Sequence, residues 1–266
     1  MAVGSSTLPE TMYPVKGLKI GTTSAGIKTP GRKDLVLFEL SENASVAGVF
    51  TLNAFCAAPV SICKQNLANT PARYFVINTG NANAGTGDEG WQDAVTTCDA
   101  VASLCGVDRA EVLPFSTGVI GEKLPVEKIV DALPSAKELL SEDGWKLAAE
   151  GILTTDTRPK GASERIEWQG QSITLTGISK GSGMIKPNMA TMLAYVATDA
   201  EIGSELLQSM LTETCNTSFN RITVDSDTST NDSCMLVATG ESDVRVDTDN
   251  AELYALFFQA LERVMK

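Results

Sequence analysis

The run TMLAYVATDA (191–200) sets the strongest limit on the fold, because it carries no charge before Asp199 and no alternation of apolar with polar residues. It reads as a strand buried on both faces, and such a strand needs a packed layer on each side of its sheet. DLVLFEL (34–40) and RYFVINTG (73–80) read as two more buried strands, the second ending in a glycine turn. After NTGNANAGTGDEG (78–90), residues Ala94, Val95, Cys98, Val101, Ala102 and Cys105 recur at helical spacing and stop at Gly106. That pattern predicts a helix packed on the sheet.

A short strand, EVLPF (111–115), then feeds the turn STGVIGE (116–122). PVEKIVDAL (125–133) predicts a helix with proline in its first turn, and SEDGWKLAAEGIL (141–153) a helix that Ser141 can cap. SERIEWQGQSITLTGIS (163–179) predicts a hairpin around Gln169–Gly170–Gln171. The remainder reads as helix (204–219), strand (221–227), strand (233–240) and helix (249–266). No Gly or Pro stop signal closes the last helix, so the sequence reads as one cut short. The fold class is α/β, with sheets and helices in layers, and 43% apolar residues in 266 supply a sizeable core.

Charge and composition narrow the chemistry. With 33 acidic against 21 basic residues, a net charge of −12 argues against nucleic acid or anionic membrane as partners, and a small-molecule substrate fits better. The apolar runs fall well short of a bilayer span, and the N-terminus lacks secretory or Arg-rich transit features, which favours a bacterial cytoplasm. Six cysteines (Cys56, Cys63, Cys98, Cys105, Cys215, Cys234) form no CxxC pair and read as reduced thiols. There is no histidine, so Ser–His–Asp and Cys–His catalysis and any His-bearing zinc site are excluded.

Three glycine-rich turns, GNANAGTG (80–87), STGVIGEK (116–123) and KGSGMIKP (180–187), fit neither GxxxxGK[ST] nor GxGxxG. The loop VDSDTSTNDS (224–233) alternates Asp225, Asp227, Ser229 and Asn231 like a calcium loop. Thr230 stands where that motif needs glycine and Leu236 where it needs glutamate, so a hydrogen-bonded turn or a loop bordering an active site is the better reading. The sharper candidate is the small-residue junction Ala190–Thr191. A threonine hydroxyl needs a base, and without histidine the choices are a lysine, a carboxylate or the threonine's own α-amine. The amine, with a pKa of roughly 7.7–8.0, suits neutral pH, and it exists only once the 190–191 bond is cut.

These residues carry a resemblance. KGSGMIKPNMATMLAYVATDA (180–200), with TTDTRPK (154–160), STGVIGE, NTGNANAG (78–85), SAGIKTPGRKDL (24–35) and VDSDTSTNDS, resembles the bifunctional ornithine acetyltransferase/glutamate N-acetyltransferase family of arginine biosynthesis over nearly the whole chain. The resemblance implies an architecture like N-terminal-nucleophile hydrolases with distinct connectivity, and self-cleavage between Ala190 and Thr191. The products are an α segment (1–190) and a β segment from 191, truncated here at 266, expected to assemble as α2β2. It implies that Thr191 takes the acetyl group of N-acetylornithine and passes it to glutamate in a ping-pong cycle. Thr117 and Gly118 match the oxyanion pair, Lys180 a substrate-binding lysine, and Thr154 or Thr157 a substrate-contacting threonine. No cofactor or metal is implied, and acetyl-CoA stays open as a co-substrate. A family segment beyond the last helix, which also contacts substrate, is missing. Two rivals remain: a self-cleaving aminopeptidase or amidohydrolase that uses water, and an inactive binding fragment.

Overall fold

The computed structural model describes residues 8–182, 192–222 and 228–266. Among the described residues, nine strands form two sheets. The first contains β1 (Leu18–Thr23), β2 (Leu35–Leu40), β4 (Tyr74–Asn81) and β5 (Val112–Val119) in that spatial order, with β4 and β5 parallel. The second runs β3 (Ser45–Phe50), β9 (Ser233–Ala238), β8 (Leu193–Thr198), β7 (Gln171–Lys180), β6 (Lys160–Trp168), with β8 and β9 parallel. Strands on both sides of the 190–191 junction share this second sheet, since β8 pairs with β7 and β9 with β3.

The two-residue period of the strands explains the layers. In β2, Val36 and Phe38 join a core with Tyr195 and Met235 of the second sheet, whereas Leu35 and Leu37 face the opposite way. Those outward residues pack on α2 (Gly87–Cys105) and α3 (Val126–Glu138). In β8, Leu193 and Tyr195 face the first sheet, and Ala194 and Val196 pack with α5 (Ser204–Thr217) and α6 (Ala251–Met265). The result is helix, sheet, sheet, helix. Every residue of β4, β8 and β9 is buried, as the apolar runs require.

The core between the sheets is aromatic. Tyr195 lies 5.3 Å from Phe38 and 5.3 Å from Phe115, the latter edge-on, and Trp145 meets Phe38 edge-on at 6.0 Å. The Tyr195 hydroxyl is buried with no hydrogen-bond partner. An unpaired buried hydroxyl costs about 1–3 kcal/mol, so Tyr195→Phe is expected to leave stability unchanged or raise it by about 1 kcal/mol. Denaturant unfolding checks this, and a clear loss would show that the hydroxyl is bonded.

The hairpin forms where expected: β6 and β7 flank a two-residue turn with positive φ at Gln169 (48°) and Gly170 (82°), the type I′ geometry. Two expectations are corrected. The helix placed at 141–153 is α4 (Trp145–Gly151), and Ser141 does not cap it, because its backbone bridges to Ile20 and its hydroxyl takes the Asp143 N–H. Pro125 precedes α3 as its N-cap, and that helix continues through Pro134. The strand expected at 221–227 lies outside the described residues from 223 on; Arg221, at its start, closes a 3-10 turn (Phe219–Arg221). Among the described residues no helix is long and apolar enough to cross a membrane. All six cysteines are free thiols, and no cluster of metal-ligating side chains occurs among the described residues.

Candidate active site

The two sheets end side by side. The parallel pair of β4 and β5 runs out with Thr79 opposite Thr117 and Gly80 opposite Gly118, while in the other sheet Lys180 stands opposite Leu193, and Leu193 opposite Ser233. A cavity of about 420 Å³ opens there, lined by Thr117, Gly118, Lys180, Thr154, Lys28 and Arg32 together with residues 229–231. A second cavity, of about 440 Å³, lies by the ends of α5 and α6, and neither of its lysines, Lys160 and Lys266, is buried. The first is therefore the chemical candidate.

Several short hydrogen bonds place its walls. The Asp34 carboxylate accepts the N–H of Ala25 at 2.6 Å and of Ile27 at 2.7 Å, folding the segment that presents Lys28 and Arg32. Arg32 donates to the carbonyls of Leu153 and Thr154, and Thr79 Oγ1 donates to Gly151 O at 2.9 Å, so the chain after α4 is held against β4. The Asn231 side-chain amide donates to Ala82 O at 2.6 Å and Ser116 O at 3.0 Å, tying the 228–231 loop to the first sheet. The Thr117–Gly118 turn is glycine for a steric reason: a Cβ on Gly118, at φ 135°, would stand 2.3 Å from Gly80 C.

Lys180 is only 6% exposed, and its Nζ donates to Thr117 Oγ1 at 2.6 Å. Burial pulls its pKa down to about 8, against the opposing pull of Asp156 and Asp232, while Lys160 lowers it further. Burial also acts on Asp156, but hydrogen bonds from Lys160 and from the Gly181 N–H, at 2.8 Å, hold that carboxyl below its ordinary range. Asp232 goes the other way. Its Oδ1 accepts the Met192 N–H at 2.8 Å, its Oδ2 is buried without a partner, and burial pushes its pKa up to about 8.

The Asp232 shift makes a stability prediction. A folded carboxyl that binds its proton more tightly than the unfolded chain destabilises the fold as pH rises from about 4, by at most about 1.4 kcal/mol per pH unit, until its own pKa is passed. Asparagine keeps an acceptor for the Met192 N–H and cannot ionise. Asp232→Asn is therefore expected to gain melting temperature relative to the native protein as pH goes from about 4 to about 8, with the gap level above that. Thermal unfolding across this range checks it; a gap independent of pH would place Asp232 in the ordinary carboxylate range.

Of the residues named from sequence, Thr117, Gly118, Lys180 and Thr154 meet at the cavity, as does Thr155. Thr157 is exposed and does not line it. Ala190 and Thr191 lie outside the described residues, although Ser182 lines the cavity and Met192 bonds to Asp232. Sequence reasoning did not single out Lys28, Arg32, Asp156 or Asp232 as site residues. The first two sit in the quoted SAGIKTPGRKDL run. Asp232 sits in the loop read as a hydrogen-bonded turn or as bordering an active site, where one acid among several carries no local signal.

Residues 19–266 match the model of the ArgJ family. The "Arginine biosynthesis bifunctional protein ArgJ" of Pseudomonas syringae pv. tomato is 57% identical over 265 residues; the match takes in 100% of this chain and 64% of that protein, so the chain spans less than two thirds of such relatives. A solved ornithine acetyltransferase from Mycobacterium tuberculosis, complexed with ornithine, is 33% identical with a TM-score of 0.59, covering 66% of this chain and 93% of that one. An L-aminopeptidase D-Ala-esterase/amidase from Ochrobactrum anthropi, described as a variant of the Ntn hydrolase fold, covers 97% of this chain and 87% of that one with a TM-score of 0.55. At 13% identity that likeness concerns the fold alone.

Proposed function

The chain belongs to the ArgJ family, and from that membership and the cavity we propose that the protein transfers an acetyl group from N2-acetyl-L-ornithine to L-glutamate. Thr191 is the nucleophile, after self-cleavage between Ala190 and Thr191. The observation that carries the reading is the meeting of Thr117, Gly118 and the buried Lys180 at one cavity, with Met192 anchored nearby on Asp232.

Thr191 Oγ attacks the acetyl carbonyl while its proton passes to the free α-amine of the same residue. Negative charge gathers on the carbonyl oxygen, where Thr117 Oγ1–H and the Gly118 N–H are the donors, each worth about 3 kcal/mol in such sites. The C–N bond then breaks, the ammonium returns its proton to the departing ornithine amine, and an acetyl ester remains on Thr191. The glutamate amine attacks that ester and retraces the path. Lys28 and Arg32 line the cavity with no acidic side chain among its described lining residues, which suits substrates that carry an α-carboxylate.

Cleavage divides the chain into 1–190 and 191–266 without dividing the fold, because β8 and β9 lie inside the second sheet between β7 and β3. That interleaving supports subunits that stay together, and an α2β2 assembly is part of the reading. Chain lengths support the cut. The curated relative is longer than this chain, whereas the solved mycobacterial chain is 93% covered by 66% of it and so is shorter, as a subunit ending near Ala190 would be. No cofactor takes part, and acetyl-CoA is a possible second acetyl donor for an enzyme acylated on Thr191.

The test is an assay of the full-length protein with N-acetylornithine and glutamate, following N-acetylglutamate and free acetate together. N-acetylglutamate and ornithine in equal amounts are expected. Free acetate as the main product at saturating glutamate would instead make the protein a hydrolase.

A further inference from the structure

The hydrogen bond between Lys180 and Thr117 assigns the lysine a task other than holding substrate. An ammonium group only donates, so at 2.6 Å Lys180 Nζ must use a lone pair of Thr117 Oγ1. The threonine hydroxyl has one proton, and that proton is then left for another acceptor. Thr117 lines the cavity, and no other hydrogen bond of its hydroxyl occurs among the described residues. A free threonine hydroxyl has three staggered positions for its proton, and a lysine donating to one lone pair closes one of them, narrowing the choice to two that point away from the ammonium.

We infer that Lys180 is a positioning residue that orients the Thr117 hydroxyl toward the acetyl carbonyl oxygen, so that the oxyanion donor is set before substrate arrives. The inference rests on the acetyl-transfer reading above. It follows the general rule that donors aimed in advance at developing charge cost nothing to reorganise at the moment of reaction. The positive charge also polarises the O–H it touches, strengthening that donor. A lysine that is 6% exposed and already bonded is poorly placed to serve mainly as a surface clamp for a carboxylate.

The charged groups that face Lys180 come from three elements. Asp156, from the turn before β6, and Asp232, just before β9, favour its charge, and Lys160 of β6 opposes it. Asp156 is held ionised and Asp232 is largely protonated near neutral pH, so the standing countercharge comes from Asp156. Lys180 itself loses its proton as pH rises through about 8. Above that pH the neutral amine is a weaker donor to Thr117, and kcat is expected to fall.

The experiment is a double-mutant cycle in the full-length protein, with kcat and KM for both substrates measured on Lys180→Met, Thr117→Val and the pair. A lysine that acts through the hydroxyl loses its effect once the hydroxyl is gone. Lys180→Met is expected to lower kcat by about 100-fold with little change in KM, and the double variant to match Thr117→Val within about twofold. Losses that multiply, or a Lys180→Met variant with raised KM and native kcat, would overturn the inference. If Lys180→Met does not fold, the alkaline limb of kcat decides: it should be present in the native protein and flattened in Thr117→Val, and a limb unchanged in Thr117→Val removes the link. A native protein that transfers no acetyl at all removes the reading beneath the inference, and the inference with it. Active native protein with independent losses removes the inference alone.

Discussion

Alanine at position 191 is expected to abolish both the cut between residues 190 and 191 and the transfer of acetyl. The hydroxyl is asked to do two things, attack the Ala190 carbonyl and later attack the acetyl carbonyl, and the α-amine exists only after the first. With no histidine in the sequence, no second nucleophile–base pair of the usual kind is available to take over. Removing a nucleophile from an acyl-transfer site costs on the order of 10⁶-fold in kcat, with any residue of rate supplied by the oxyanion donors and binding. Thr191→Ser, which retains a hydroxyl, is the informative contrast, since cleavage and some transfer should survive. Electrophoresis and the N-acetylglutamate assay on the two variants separate these outcomes. Native transfer rates in Thr191→Ala would remove the residue from the chemistry.

Gly118→Ala is expected to be the most damaging addition of a single methyl group at the site. The new Cβ would lie 2.3 Å from Gly80 C, 2.6 Å from Asn81 N and 2.6 Å from Gly80 O, and all three are backbone atoms of the neighbouring strand. They cannot swing aside as a side-chain tip can. Gly118 also has φ 135°, a region that L-residues rarely occupy. Strain and overlap together are expected to cost about 4 kcal/mol or more, in the exceptional tail of single substitutions. Activity should fall further than stability, because separating β5 from β4 moves the Gly118 N–H off its target and each such donor is worth about 3 kcal/mol. Gly26→Ala is the control. It shares a positive φ of 66° but meets nothing within 4 Å, so only the conformational cost of about 1 kcal/mol is expected. Thermal unfolding and kcat on both variants check the contrast; equal losses would mean that close packing of the two turns is unimportant.

Layered sheets and helices were legible where burial on both faces leaves no alternation, as in Val76 and Ile77 or Ala194 and Tyr195. Strands β1 and β3 and the helix α1 (Ala58–Asn69) were not read. β1 and β3 each carry a glycine with a close tertiary neighbour: Gly21 stands where a Cβ would be 1.9 Å from Ala136 O of α3, and Gly48 where it would be 3.0 Å from the Leu67 side chain of α1. α1 has a weakly separated apolar face, with Pro59, Val60, Ile62 and Cys63 clustered in its first turns. Ser141 misled because a capping residue is also a good bridging residue, and here the partner strand took its backbone.

At the site, the turn STGVIGE and Lys180 were legible through the motifs that contain them. The bond between Thr117 and Lys180 was not, because the residues are 63 positions apart and come from different sheets. Asp232 was hidden for a different reason. Its altered proton affinity comes from burial, and nothing in the string Asn231–Asp232–Ser233 records that its side chain is buried.

The most direct test is an intact-mass measurement on the full-length protein, before and after incubation with N-acetylornithine in the absence of glutamate. The expected result is two fragments that meet between Ala190 and Thr191, with one acetyl group appearing on the fragment that begins at Thr191 and leaving again when glutamate is added. An uncut chain that still transfers acetyl, or an acetyl group carried by the fragment ending at Ala190, would contradict the assignment of Thr191.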